Sequence, residues 1–379
     1  MKRPMLLVLA AALVQAAEPY YPGAHLDWKR KTPAEAGFDA ARLDAAIGFA
    51  QQHESKAPRD LKLNHDFSFG RETYGEALGP FKPRGDMAGV IVRGGYIVAE
   101  WGDPFRTDMT FSVTKSFVST TVGLALMDGK IASLDEPVGR YVTTGEFETG
   151  LNAKITWDHL LRQTSDWEGT LWGKPDWADR PPKDLLAYRS RKHNEPGTSY
   201  KYNDVRVNLL ALASLHVWRR PLPQVLKERI MDPIGASSTW RWYGYENSWV
   251  NIDGVMMQSM AGGAHWGGGM WISARDQARF GLLTQRGGKW NGRQLLSPEW
   301  VKMARTPTPV EPTYGFMNWY LNTGRKMWPS APESSFAHMG NGANVIYCDP
   351  ESDLVVVLRW IESKAVDEFL GKLFAAMRK

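Results

Sequence analysis

Three short stretches of this chain carry side chains that could do chemistry together. The first is Phe111-Ser112-Val113-Thr114-Lys115-Ser116-Phe117, which holds an S-x-x-K pattern. Three residues apart on a helix, Ser112 and Lys115 face the same side. A hydroxyl is a poor nucleophile and needs a base, and a lysine can serve once desolvation lowers its pKa. Phe111, Phe117 and Val118 offer apolar surroundings. Taken alone, the motif also fits a helix start with Ser as cap and Lys on a solvated face. The second stretch, Pro196 to Asp204, is a turn leading to Tyr200, Tyr202, Asn203 and Asp204 just before a helix. A phenol near an ammonium can shuttle a proton, but two packing tyrosines and an N-capping Asp204 would look the same. The third, His338-Met339-Gly340-Asn341-Gly342-Ala343, runs into a β-rich stretch. Its glycines permit close approach to backbone, and a plain turn with a surface histidine is the alternative.

The elements that must position these residues read as follows. Asp39 caps an amphipathic helix carrying Leu43 and Ile47, and two strands between residues 87 and 101 flank a turn at Arg93-Gly94-Gly95. The apolar stretch 117–127 predicts a buried helix. Helical spacing dominates from residue 134 to 245, with Val205 to Trp218 as its longest helix. Strand patterning returns at 344–348 and 354–360, and Phe369, Leu370, Leu373 and Phe374 close the chain on an amphipathic helix. Strands far apart in sequence are expected to share one sheet, near 88–101 with near 343–361, because an isolated hairpin is barely stable.

Composition narrows the class. The 379 residues are 43% hydrophobic and 23% charged, with a net charge of +5, so disorder and a nucleic-acid surface are excluded as expectations. One cysteine, Cys348, rules out an intramolecular disulfide and reads as a buried strand residue. There is no G-x-S-x-G elbow, no P-loop, no G-x-G-x-x-G and no H-E-x-x-H, and the eight histidines show no ligand spacing. No cofactor and no metal are implied. Lys2 and Arg3, an apolar run from Met5 to Val14, and small residues at Val14 and Ala16 read as a signal peptide over 1–16. A periplasmic or secreted protein without a membrane span follows as the expectation. Ten of the 17 tryptophans fall between Trp157 and Trp271, where Trp167, Trp172, Trp177, Trp240, Trp242 and Trp249 divide between core and a cleft wall.

In order and spacing, the three motifs resemble the serine β-lactamase-like superfamily, in the branch of class C β-lactamases, serine esterases, D-aminopeptidase-type enzymes and the 6-aminohexanoate-dimer hydrolase. The resemblance runs from about residue 38 to 357. It includes Asp128 to Val138, Ile155 to Ser165, Gly267 to Asp276 and Tyr314-Gly315-Phe316. It implies an α+β fold: an antiparallel sheet subdomain (17–135 and 255–379) flanked by helices, with an all-helical insertion (136–254). It implies Ser112 as acylated nucleophile, Lys115 and Tyr202 as proton-transfer partners, and an oxyanion hole from the backbone N–H groups of Ser112 and Asn341. His338, Gly340 and Asp204 fall in the substrate-facing elements. The expected function is ester or amide hydrolysis of a small or short peptide-like substrate, with no partner protein. A β-lactamase, a D-amino-peptidase or an inactive binding protein of the same fold are the alternatives. Two departures stand out: Asp204 replaces the amide of the Y-x-N element, and His338 replaces the lysine of K-T-G. A carboxylate beside Lys115 would hold it charged and favour Tyr202 as proton acceptor.

Overall fold

The computed structural model describes residues 19–378. Segment 1–16, expected to be a signal peptide, lies outside the described residues. Helix α1 (Ala40–Gln52) starts at Asp39, whose side chain accepts from the Arg42 N–H, and buries Leu43, Ala46 and Ala50 on one face. Strands β1 (Ala88–Arg93) and β2 (Tyr96–Trp101) form a hairpin whose two turn residues, Gly94 and Gly95, both have positive φ. The short strand β3 (Asp108–Met109) leads through one 3₁₀ turn into α2 (Thr114–Met127). Helix α2 is buried on every side from Thr114 to Ala125, and Ser119, Thr120 and Thr121 satisfy their hydroxyls on carbonyls three or four residues back.

The next long helix, α3 (Asp204–Trp218), is capped by Asn203, whose side chain accepts from the Arg206 N–H. Asp204 is therefore the first helical residue and not the cap. Between α2 and α3 lie only short helices, Trp157–Leu161 and Leu185–Ser190 among them. The segment 136–254 is not all helix, which corrects the expectation. Strand β4 (Arg241–Ile252) occupies its end and pairs with β5 (Val255–Met260) and β6 (Gly269–Ile272). With β3 these make a four-stranded sheet in the order β3-β6-β4-β5.

Helix α4 (Ala274–Gln285) follows, then β7 (Tyr320–Leu321), β8 (Phe336–Gly340), β9 (Asn344–Asp349), β10 (Leu354–Arg359) and α5 (Val366–Ala376). The main sheet runs β7-β8-β9-β10-β1-β2, antiparallel throughout. Val90 pairs with Val357, so the N-terminal hairpin and the last strands share one sheet. Alternation divides the strands between two cores. Val90, Val92, Ile346, Val355 and Val357 face α4 and α2, whereas Ile91, Val345, Val356 and Leu358 face α1 and α5. Because both faces are covered, β9 and β10 are buried at every position, which is why they read as unbroken apolar runs. Cys348 lies in this core.

Candidate active site

Ser112 sits in the 3₁₀ turn Phe111–Val113, at the N-terminal end of α2. The turn is fixed on both sides: Thr110 N–H donates to Met270 O at 2.9 Å, and Met270 N–H to Thr114 Oγ1 at 2.9 Å. One helical turn on, Lys115 is fully buried, and its Nζ donates to Ser112 Oγ at 2.7 Å. The same ammonium makes an ion pair with Asp204 Oδ1 and lies 4.5 Å from the centre of the Tyr202 ring. The Tyr202 hydroxyl is hydrogen-bonded to Ser112 and to Tyr320. The structure thus brings Ser112, Lys115, Tyr202 and Asp204 into one cluster. Tyr200 packs at a tilt against Tyr314 instead.

The electrostatics of the cluster follow from its burial. Burial lowers the Lys115 pKa, with the Asp204 carboxylate opposing it. For Asp204 burial works upwards, but Lys115, Arg180 and His265 outweigh it and hold the carboxyl at about 2. Tyr202 is raised, by burial and by the neighbouring Asp204. Burial therefore favours the neutral forms of both Tyr202 and Lys115, while Asp204 favours the lysine ammonium.

Around this cluster lies a cavity of about 450 Å³, lined by Ser112, Tyr202, Asp204, Met339, Gly340 and Asn341 and walled by Phe69, Phe111 and Tyr320. Gly340 ends β8 against the nucleophile turn. A Cβ there would overlap Thr110 O and stand 3.1 Å from Ser112 N, so only glycine allows the approach that brings Asn341 beside Ser112. His338 is the exception among the expected site residues. It lies on the same face of β8 as Gly340 but deeper, fully buried between Ser116 Oγ of α2 (2.9 Å) and Thr284 Oγ1 of α4 (3.3 Å), and burial lowers its pKa to about 3. Its depth under α2 and α4, and not strand alternation, keeps His338 out of the cavity lining. None of the six tryptophans expected to divide between core and cleft lines this cavity. Trp167 and Trp242 are core, and Trp249 is exposed on the β4–β5 hairpin.

Sequence reasoning missed the outer half of the charge cluster. Arg180 lines the cavity, pairs with Asp179 and approaches Asp204 Oδ2 at 3.5 Å, and lies over the Tyr202 ring. Its backbone has a positive φ of 49°, in a loop with no periodicity to announce it. His265 places Nε2 2.8 Å from Glu72 Oε2 and Nδ1 3.3 Å from Asp179 Oδ1. Glu72, Asp179 and His265 are also the residues whose ligand atoms come within 4.8 Å of one another. The imidazole, however, turns one nitrogen to each carboxylate, and Arg180 neutralises Asp179. Nε2 is hydrogen-bonded to Glu72, whereas Nδ1 makes no hydrogen bond among the described residues and faces two carboxylates, Asp179 at 3.3 Å and Asp204 at 3.5 Å.

With the Ser112 turn, the buried lysine and the glycine-ended strand in view, comparison with known proteins decides the family. The family model described as Beta-lactamase matches residues 82–360. The chain belongs to that family. A relative from Escherichia coli O157:H7, assigned by name to the D-alanyl-D-alanine carboxypeptidases, is 24% identical over 197 residues, which cover 43% of this chain and 45% of that protein. The matched part thus spans less than half of that relative's length. A penicillin-binding protein homologue from Caulobacter crescentus shares the fold at a TM-score of 0.58 and 16% identity, covering 88% of this chain and 97% of its own. A family VIII carboxylesterase does so at 0.56 and 15%, covering 89% and 96%. The β-lactamase-family fold is therefore that of the whole sheet and helical layer described above. Among the described residues, no helix is long and apolar enough to cross a membrane.

Proposed function

We propose that this β-lactamase-family protein is a serine hydrolase that cleaves an ester or amide bond through an acyl-enzyme on Ser112. The observation that carries the reading is the 2.7 Å hydrogen bond from a fully buried Lys115 to Ser112 Oγ, at the wall of an open cavity. In the reactive form Lys115, having lost its proton, takes the Ser112 hydroxyl proton as the oxygen attacks the substrate carbonyl. The Ser112 and Asn341 N–H groups receive the developing oxyanion, a contribution of about 3–4 kcal/mol for such donors. Tyr202, a neutral phenol bonded to Ser112, passes its proton to the leaving group and is replenished from the Lys115 ammonium. Water then hydrolyses the acyl-enzyme by the reverse relay.

The aromatic walls favour small apolar esters and amides. Penicillins fit less well, because β8 offers no cation: its histidine turns into the core. The basic start and apolar run at the N-terminus support export to the periplasm or beyond, and N-terminal sequencing of the protein recovered outside the cytoplasm should begin at Ala17.

The test is a nitrophenyl-ester assay with fluorophosphonate labelling. The wild type should label on Ser112, and Ser112→Ala should abolish labelling and lower turnover by about three orders of magnitude or more. Labelling that persists in the variant would assign the chemistry elsewhere.

A further inference from the structure

Arg359, the last residue of β10, is a buried cation with no carboxylate within salt-bridge distance among the described residues. Each of its three guanidinium nitrogens nonetheless donates one hydrogen bond. Nε donates to Asn344 Oδ1 at 2.7 Å, Nη1 to Ile272 O at 2.6 Å and Nη2 to Met109 O at 2.8 Å. Three acceptors set around one planar fork suit arginine and no other side chain. They also come from three places. Ile272 ends β6, Met109 ends β3 three residues before Ser112, and Asn344 opens β9.

Asn344 extends the chain of bonds. Its Nδ2 donates to Asn341 O at 2.7 Å. A single run, Met109 to Arg359 to Asn344 to Asn341, therefore ties the strand that feeds the nucleophile turn to the loop beside it. That loop is tight: Gly342 and Ala343 both have positive φ. The β8–β9 pairing of Gly340 with Asn344 fixes one flank of Asn341, and the amide on Asn341 O fixes the other. The planar 340–341 peptide between them, with its N–H, has little freedom to turn.

We propose that Arg359 and Asn344 are positioning residues that set the Asn341 N–H against Ser112, a role resting on the oxyanion hole of the proposed reaction. Leaving a guanidinium unpaired in the interior is costly. A carboxylate at position 344 would relieve that cost, but it could not donate to Asn341 O.

Asn344→Asp tests the proposal, because it separates stability from catalysis. The variant should melt at or above the wild-type temperature, since the buried cation gains a counter-charge. Its kcat on a nitrophenyl ester should fall at least tenfold with KM within threefold, and fluorophosphonate labelling should slow by the same factor. Asn344→Ala, which removes both bonds, should lose kcat by a similar factor when assayed well below its own melting temperature. Wild-type kcat in Asn344→Asp, or in Asn344→Ala should the first variant not fold, would overturn the proposal. So would losses that track melting temperature in both variants. A wild type that neither labels nor turns over ester overturns the parent reading and this one with it, whereas a competent wild type matched by Asn344→Asp overturns this one alone.

Discussion

Gly263 is the surface against which the Lys115 ammonium rests. A Cβ at Gly263 would intrude on both Lys115 Nζ and Asp204 Oδ1, so the ion pair behind the nucleophile exists in the space a side chain would take. Gly263→Ala should push the lysine off Ser112 and lower kcat/KM by tenfold or more, with overpacking costing about 1–3 kcal/mol of stability. Steady-state kinetics and a thermal melt on the same preparation check both figures. Wild-type turnover would show that the pair has room to move.

Asp204→Asn should move the pH–rate profile in a defined direction. Burial lowers the Lys115 pKa and Asp204 opposes it. Without that carboxylate only the more distant Asp179 still opposes burial, the lysine loses its proton more readily, and the ascending limb of kcat/KM shifts to lower pH. The variant should also lose an acid-stability limb. The Asp204 carboxyl is held at about 2, below its ordinary value of about 3.9. The stability it supplies is thus present above about pH 4 and lost as pH falls towards 2. Rate profiles that overlay, together with equal melts across that window, would disprove the coupling.

At Gly340 the expected effect is on catalysis. An added methyl group meets Thr110 O, so Gly340→Ala should draw the end of β8 away from the nucleophile turn and withdraw the Asn341 donor. Loss of one such donor costs on the order of 10²-fold in kcat, with KM little changed. Single-turnover acylation rates would measure it directly, and an unaltered rate would remove Asn341 from the oxyanion hole.

For His338 the prediction is the reverse. It bonds Ser116 and Thr284 in the core, so His338→Ala should cost about 2–4 kcal/mol through a cavity and an unpaired hydroxyl while KM for small esters stays put. Burial brings its pKa to about 3. The unfolded chain takes up the proton below about 6.5, so in the wild type this residue erodes stability as pH falls from there towards 3, and the variant should show a shallower decline. A changed KM would return His338 to the substrate side.

The sequence made visible what rests on local spacing. Ser112 and Lys115 share a face because one helical turn separates them, and the pairing of Val90 with Val357 follows from two apolar strand pairs that each needed partners. The position of Asp204 one residue inside α3 was within reach too, since Asn203 is the better-placed cap. Arg180, His265, Phe69 and Tyr320 were not legible, because they arrive from loops and a two-residue strand whose placement is decided by tertiary packing. The burial of His338 was not legible either: period-two alternation puts it on the same face as Gly340, and only the packing of α2 and α4 over it removes it from the cavity. The tryptophans went astray for a different reason: abundance in one stretch measures how much must be buried, not which surface is left open.

The pairing of β1 with β10 also orders events in time. Ser112 is made well before the strand that aligns its turn through Arg359. Closing so long a loop is entropically uphill until the last strands are present. A chain synthesised only as far as β8 therefore holds Ser112, Lys115 and Tyr202 with nothing yet to align their turn.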